Sequence, residues 1–173
     1  MTDIRLVDEQ GNDIGMMEKI AAHSNGGTRH RATSIFVFND KGQTMLQKRA
    51  RTKYHASGQW TNTADGHPEA HETPIENAHR RLREEMGFDC ELQEIFTFKY
   101  EAPVGNNLTE KEFDHIIFGK YNGEPKLNPS EAEDWKWISL ASLKADIRKH
   151  PDNYAAWLRL MVDEVIKHYN TSN

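Results

Sequence analysis

The chain has 173 residues, of which 36% are hydrophobic and 28% are charged, and its formal net charge at pH 7 is −5. That length suits one domain with a buried core, and the negative charge gives no reason to expect nucleic acid or an anionic membrane as a partner. No apolar run approaches the ~18 residues of a membrane span, and the start, MTDIRLVDEQ, lacks the regions of a signal peptide. The single cysteine, Cys90, rules out an internal disulfide and fits a reducing compartment. We therefore expect a soluble cytoplasmic protein, either a monomer or a weak homodimer.

The first third of the chain reads as two hairpins and a short strand. Gly11 and Asn12 form the turn of the first hairpin, and the segment from Asn39 to Gly42 forms the turn of the second. The predicted strands are residues 4–7, 14–17, 34–38, 44–49 and 60–63.

A helix is predicted in the middle of the chain. Thr73 and Glu76 form a capping box with Pro74 at the first helical position, and Gly87 is a typical end signal. Its apolar residues lie on one stripe at helical spacing: Ile75, Ala78, Leu82 and Met86. This stripe predicts that the helix packs on a sheet, with the flanks of the stripe at the helix–sheet seam.

The remaining elements are strands followed by two helices. We predict strands at 90–101, 110–121 and 135–138, and helices at about 140–149 and 153–168. The last helix has an apolar stripe of Tyr154, Trp157, Leu158, Met161 and Val165. The pattern indicates one α+β domain over residues 1–173, with mixed sheets flanked by helices. It includes an N-terminal hairpin extension at about 1–30 and C-terminal helices at about 140–169.

The most specific motif is GHPEAHETPIENAHRRLREEMGF, residues 66–88. It follows the Nudix box, G-x5-E-x7-R-E-U-x-E-E-x-G-U, in which U is a bulky apolar residue. The matching positions are Gly66, Glu72, Arg80, Leu82, Glu84, Glu85, Gly87 and Phe88. The glutamate that should follow Arg80 is Arg81 instead, which argues against ordinary Nudix hydrolysis. Glu85, on the flank of the apolar stripe, could hold Mg²⁺.

Histidine and glutamate residues form a second pattern. His23 and His30 precede the first long strand, and His67 directly follows the box glycine. Glu110 and Glu112 alternate on a predicted strand, so both point to one face. If these five side chains converge, they would make a closed site for a borderline divalent ion such as Zn²⁺ or Mn²⁺. The sequence alone does not establish that they do.

Over nearly its whole length the chain resembles the type I isopentenyl-diphosphate isomerases, a family with the Nudix fold. The resemblance includes LVDEQGNDIGMMEKIAAH, WTNTADGHP at 60–68, the altered box and the E-x-E strand. It implies that five residues bind one divalent metal: His23, His30, His67, Glu110 and Glu112. It implies diphosphate contacts by Lys19, Arg49, Lys53 and Arg81. It also implies that Glu85 holds Mg²⁺ together with the substrate diphosphate, and that Tyr100 and Trp157 line the pocket.

One position departs from that family. Its catalytic cysteine lies in a T-N-x-x-C-G-H-P context, where this chain has Asp65, and Cys90 lies past the box helix. The resemblance implies a 1,3-allylic proton shift between isopentenyl and dimethylallyl diphosphate, a step of isoprenoid biosynthesis. Asp65, Glu112 and Tyr100 would be its catalytic residues, with the first two on opposite faces of the alkene. Asp65 can donate a proton only if burial or a like charge raises its pKa.

Three functions therefore remain open from the sequence. The first is an isomerase in which Asp65 is the acid. The second is a Nudix hydrolase of an organic or nucleoside diphosphate, favoured by Glu72, Glu84 and Glu85 and opposed by Arg81. The third is a non-catalytic diphosphate-binding protein, which only the missing thiol supports. In each case the partner is a small-molecule diphosphate.

Overall fold

The computed structural model describes residues 2–172 of the chain. Its strands are β1 (Asp3–Val7), β2 (Asp13–Glu18), β3 (His30–Phe38), β4 (Gln43–Arg49), β5 (Trp60–Thr61), β6 (Ala64–Gly66), β7 (Leu92–Gly105), β8 (Leu108–Lys120) and β9 (Ala132–Ser139). Its helices are α1 (Lys19–His23), α2 (Pro74–Arg81, continued by a π-helical turn at Leu82–Met86), α3 (Leu140–Lys149) and α4 (Ala156–Ser172), with a 3₁₀ turn at Pro151–Asn153.

Strand β3 organises a mixed sheet. Strand β8 runs parallel to it along one side, and β1, β6 and β4 pair with successive parts of its other side. Strand β7 is antiparallel to β8, and β9 is antiparallel to β4. In this register Glu112 of β8 lies beside His30 of β3 and opposite Tyr100 of β7. Three residues that are far apart in sequence are therefore neighbours across adjacent strands.

Apolar cores on the two sides of the sheet hold the helices in place. One core joins α3 and α4 to residues of β3, β7 and β8, including Phe36, Tyr100 and Ile116. The other joins α2 to β3, β4 and β8, where Ala78 and Leu82 are fully buried. The expected single α+β domain with helices flanking a mixed sheet is confirmed. No helix within residues 2–172 is long and apolar enough to cross a membrane.

The box helix begins and ends at the expected residues. The Thr73 hydroxyl accepts a hydrogen bond from the Glu76 amide at 3.2 Å, and the Glu76 carboxylate accepts one from the Thr73 amide at 2.8 Å. Gly87 ends the helix with φ of +69°, and a Cβ there would lie 2.4 Å from the Lys126 carbonyl oxygen. The helix closes as a π turn, a geometry that is frequent at functional sites.

Two elements of the N-terminal half differ from the prediction. Strand β3 begins at His30, four residues before the expected strand at 34–38, because its first residues pair with β1 and β8. Helix α1 was not predicted from the sequence. The Glu18 side chain caps it by accepting a hydrogen bond from the Ala21 amide at 2.9 Å. A single turn gives too short a pattern for helical periodicity to be visible.

Two further boundaries also differ. The expected strand at 60–63 ends at Thr61, and a separate strand, β6, follows it against β3. Helix α4 begins at Ala156 rather than at 153, since Pro151 starts a 3₁₀ turn. Tyr154 therefore precedes the helix in extended conformation, where it pairs with Trp60.

Candidate active site

Most of the sequence-predicted residues line one cavity of about 240 Å³. Those in the lining are Lys19, Arg49, Lys53, Asp65, His67, Arg81, Glu85, Tyr100, Glu110, Glu112 and Trp157. The other two, His23 and His30, are fully buried and do not belong to the lining. The cavity collects these side chains from α1, β4 and the loop after it, β6 and the residue after it, the box helix, β7, β8 and α4.

Four of the five predicted metal ligands converge. The nitrogen and oxygen ligand atoms of His23, His30, His67 and Glu112 all lie within 4.8 Å of one another. We call these four residues the His/Glu cluster. They come from the end of α1, the start of β3, the residue after β6 and the middle of β8.

The His/Glu cluster has the hydrogen bonding of a metal site. Nδ1 of His23 lies 2.6 Å from the Lys19 carbonyl oxygen, and Nδ1 of His30 lies 2.7 Å from that of Thr28. A carbonyl only accepts, so both Nδ1 atoms carry the proton and both Nε2 atoms have free lone pairs. These Nε2 atoms are buried without a hydrogen-bond partner. Burial also lowers the pKa of His23, which keeps its ring neutral. The cluster therefore fits a divalent metal.

Glu110, the fifth predicted ligand, lies outside the His/Glu cluster. Its Oε1 is 3.0 Å from Nε2 of His55, and its Oε2 accepts a hydrogen bond from the Tyr100 hydroxyl at 2.8 Å. The same hydroxyl is 2.7 Å from Oε2 of Glu112. A phenol has one proton and can donate to only one carboxylate at a time. Burial and the nearby charge of Glu112 raise the pKa of Glu110 well above its ordinary value. Metal binding by Glu110 stays a prediction.

The four predicted diphosphate contacts share the other part of the cavity. We call Lys19, Arg49, Lys53 and Arg81 the cation cluster. Burial, together with the charges of Lys53 and Arg81, lowers the pKa of Lys19. Mutual repulsion of this kind favours an anion that enters between the cations.

Arg81 and Glu85 form an ion pair at the wall of the cavity. Nη2 of Arg81 is 2.6 Å from Oε1 of Glu85, and its Nε donates to the Asp65 carbonyl oxygen at 3.0 Å. The Arg81 side chain passes directly over the box glycine. A Cβ at Gly66 would lie 2.6 Å from Cγ of Arg81 and 2.5 Å from Oδ1 of Asn77. Glycine at this position therefore permits β6 and α2 to approach closely, and this approach positions the Arg81 side chain at the wall of the cavity.

Asp65 has the environment that a carboxylic acid needs to retain its proton. Its Oδ1 accepts a hydrogen bond from the Asn62 side-chain amide at 2.7 Å, whereas Oδ2 is buried without a partner. Burial and the negative charge of Glu85 raise the pKa of Asp65 to about 7. A measurable fraction of this side chain is then protonated near neutral pH.

The same polar network fixes the indole of Trp157. Its Nε1 donates to the Thr61 hydroxyl at 2.8 Å and lies 3.1 Å from Oδ1 of Asn62, whose Nδ2 donates to Asp65. The Arg49 guanidinium carbon is 5.3 Å from the centroid of the indole ring. The acid, the aromatic ring and one member of the cation cluster are therefore adjacent.

Known proteins resemble this chain in both sequence and fold. Residues 28–159 match the family described as NUDIX domain. Isopentenyl-diphosphate Delta-isomerase 2 of Aromatoleum aromaticum is 51% identical over 161 residues, 93% of this chain and 85% of that protein. The protein of the same name in Photorhabdus laumondii is 48% identical, over 91% of this chain and 89% of its own length. The chain belongs to the isopentenyl-diphosphate Delta-isomerase family.

Solved structures confirm that the chain has the Nudix fold. DR0079 from Deinococcus radiodurans superposes with a TM-score of 0.78 at 19% identity, covering 94% of this chain and 98% of its own. The MutT protein of Methanosarcina mazei Go1 gives a TM-score of 0.67 at 18% identity, covering 84% and 95%. At these identities the likeness concerns the fold alone.

Among the cavity residues that the sequence did not indicate, two form a side-chain hydrogen bond to a predicted site residue. His55 contacts Glu110, and Glu131 contacts Lys53 with its Oε2 2.7 Å from the Lys53 ammonium. A weak signal existed for His55, since it lies between Lys53 and the WTN segment. Glu131 lies in the Pro/Asn-rich turn before β9, where an acidic residue ordinarily indicates a solvated surface.

Proposed function

We propose that the protein interconverts isopentenyl and dimethylallyl diphosphate by a 1,3-allylic proton shift. The observation that carries the proposal is the adjacency of Asp65, Trp157 and Arg49 in one cavity. An acid and an aromatic face lie beside a cation, which suits a substrate whose alkene is only a few bonds from its diphosphate. The names of the relatives support the same reaction.

The cation cluster binds the diphosphate end of the substrate. Charge-assisted hydrogen bonds from Lys19, Arg49, Lys53 and Arg81 would hold the phosphate oxygens. Glu85 would contact the Mg²⁺ that accompanies the diphosphate, since Mg²⁺ prefers carboxylate and phosphate oxygens and keeps several waters. The substrate is a small molecule, and the cavity volume of about 240 Å³ suits a short chain.

The reacting end lies between Asp65 and Glu112. Asp65 transfers its proton to the terminal carbon of the alkene, and the electron pair of the double bond forms the new C–H bond. The positive charge that develops on the tertiary carbon is stabilised by the face of Trp157. Glu112 removes a proton from the carbon on the other side, and that electron pair forms the new double bond. One proton enters and one leaves, so Asp65 ends as a carboxylate and Glu112 as an acid.

The residues around Glu112 keep its carboxylate in place. The Tyr100 hydroxyl is 2.7 Å from its Oε2, and His67 Nε2 is 3.3 Å from its Oε1. A Zn²⁺ or Mn²⁺ ion held by the His/Glu cluster would supply a fixed positive charge that orients this carboxylate and keeps it ionised. The Tyr100 hydroxyl is therefore placed to donate a hydrogen bond to Glu110 or to Glu112, whichever carboxylate is ionised.

The hydrolase alternative has less support. Nη2 and Nε of Arg80 lie 2.9 Å and 2.5 Å from the two oxygens of Glu72, and Glu84 is paired with Arg81 at 2.6 Å. Two of the box carboxylates are thus held by arginine, and Arg81 adds a positive charge where the box has a glutamate.

Product analysis separates the three candidate functions. Purified protein is incubated with isopentenyl diphosphate and Mg²⁺, and the mixture is followed by proton and phosphorus NMR. Dimethylallyl diphosphate is the expected product. Released phosphate without isomerised product would establish the hydrolase instead, and unchanged substrate that nevertheless binds would establish a diphosphate-binding protein.

A further inference from the structure

Glu131 lies inside the cation cluster and is absent from the predicted site. Its Oε2 is 2.7 Å from the Lys53 ammonium and 3.3 Å from Nη2 of Arg81. Within residues 2–172, Lys53 has no other ion-pair partner. The carboxylate of Glu131 therefore occupies a position between two cations that a phosphate oxygen could also occupy.

The backbone around Glu131 fixes this placement. The Glu131 carbonyl accepts a hydrogen bond from the Ala50 amide at 2.9 Å, next to Arg49 at the end of β4. The Glu131 amide donates to the Asn128 carbonyl at 2.9 Å, and the Asn128 amide donates to the Glu85 carbonyl at 3.0 Å. The segment is thus tied both to the end of β4, which provides Arg49, and to the end of the box helix, which provides Arg81.

Glu131 is ionised in this position. Burial alone would raise its pKa, but the hydrogen bond from Lys53 and the charge of Arg81 hold the pKa of Glu131 below its ordinary value. Together with Glu85, it places a second negative charge beside the cations. An incoming anion therefore meets attraction from the cation cluster and repulsion from two carboxylates.

We propose that Glu131 is a specificity-determining residue that makes the cation cluster select magnesium-bound diphosphate over the free diphosphate anion. The inference rests on the proposed function, because it assumes that the cation cluster binds diphosphate. Free diphosphate is two charge units more negative than its magnesium complex, so a fixed carboxylate repels the free anion more strongly. When Mg²⁺ accompanies the diphosphate, the same carboxylate is attracted to the Mg²⁺ ion.

The test is the affinity for pyrophosphate, measured by titration calorimetry with and without Mg²⁺. Glu131→Gln keeps the size of the side chain but removes its charge. We expect its affinity for magnesium-free pyrophosphate to rise roughly threefold to tenfold, the range for losing one partly buried charge contact. The factor by which Mg²⁺ tightens pyrophosphate binding should fall by at least as much, because the two ligands are thermodynamically linked.

Glu133→Gln is the matched control. It removes the same charge two residues away, where Glu133 pairs with Lys48 at 3.2 Å outside the cavity, and it should leave both affinities unchanged. Glu131→Asp keeps the charge and should retain most of the magnesium effect. Thermal unfolding establishes that each variant is folded, and Glu131→Ala serves the same test if the glutamine variant is not.

The possible outcomes separate the two levels of the proposal. If the wild-type protein does not bind pyrophosphate even with Mg²⁺, the proposed function itself is wrong. If the wild-type protein binds it and Glu131→Gln shows an unchanged magnesium effect, or weaker binding without Mg²⁺, the role of Glu131 is wrong while the diphosphate site stands.

Discussion

Asp65 has a hydrogen bond on one carboxyl oxygen and a buried, unpartnered second oxygen. The hydrogen bond from Asn62 to the first oxygen fixes the orientation of the carboxyl group. The second oxygen, when it carries the proton, is free to donate it to a ligand. A carboxylic acid is also a stronger acid than a thiol, which favours protonation of a weakly basic alkene. The geometry at this residue therefore supports proton donation.

Replacement of Asp65 by cysteine tests the pocket around it. Asp65→Cys restores the residue that type I isomerases have in this context, so it should keep or raise isomerase activity. A coupled assay for dimethylallyl diphosphate measures this directly. If the variant binds pyrophosphate and metal normally but forms no allylic product, other residues of the pocket have diverged and the isomerase proposal is wrong.

Removal of one histidine tests the His/Glu cluster. His23→Ala should lose tightly bound metal, because Nε2 of His23 is one of four converging ligand atoms and nothing else in the cluster replaces it. Elemental analysis of purified, tag-free protein should find close to one Zn or Mn per wild-type chain. His71→Ala, at an exposed position, is the control. Equal metal content in His23→Ala and the wild type would contradict the site.

Removal of one guanidinium tests the cation cluster. Arg49→Ala should weaken pyrophosphate binding by roughly 1.5–3 kcal/mol, the range for hydrogen bonds to charged groups. Arg51→Ala provides a matched control, since the Arg51 side chain is 78% exposed and lies outside the cavity. Titration calorimetry compares the two variants. Equal affinities would mean that Arg49 does not contact the diphosphate.

On the scale of secondary structure elements, local signals were sufficient for some elements and insufficient for others. The box helix could be predicted because its cap and its glycine end signal involve residues a few positions apart. The start of β3 at His30 could not, because those residues take strand geometry from pairing with Glu112 and its neighbours. The same holds for the site. The box residues follow from spacing, whereas the contacts of His55 and Glu131 join residues 55 and 78 positions apart.

An ion pair with a defined pH dependence joins the box helix to the segment before it. Arg80 holds the pKa of Glu72 at about 2, below its ordinary value of 4.5. Stabilisation by this pair is therefore fully present above about pH 4.5 and is lost as the pH falls towards 2. Glu72→Gln should lower the free energy of unfolding at pH 7 by about 1–2 kcal/mol.

The difference in the free energy of unfolding between Glu72→Gln and the wild type should disappear as the pH approaches 2. Thermal unfolding between pH 7 and pH 2 measures it. Glu124→Gln, at an exposed position, should match the wild type throughout. A constant difference between Glu72→Gln and the wild type at all pH values would mean that the ionised Glu72–Arg80 pair is not its source.

On the scale of the whole molecule, the cavity depends on both ends of the chain. Helix α1 provides Lys19, and helix α4 provides Trp157. The Nudix core between them contributes the box helix, in which Arg81 stands where the motif has a glutamate. The sequence could predict this fold from one motif and its overall resemblance. It could not predict the curvature of the sheet that brings residues 19 to 157 into one cavity.

The central claim is that this cavity moves a proton onto the alkene through Asp65. The most direct measurement is the reaction of isopentenyl diphosphate with Mg²⁺ in D₂O, followed by NMR for the wild type and for Asp65→Asn. We predict that the wild type forms dimethylallyl diphosphate with deuterium in a methyl group. Asp65→Asn should bind metal and pyrophosphate normally yet form none, because an amide fills the same space without a transferable proton. Turnover by Asp65→Asn at the wild-type rate, or a wild-type protein that only releases phosphate, would contradict the claim.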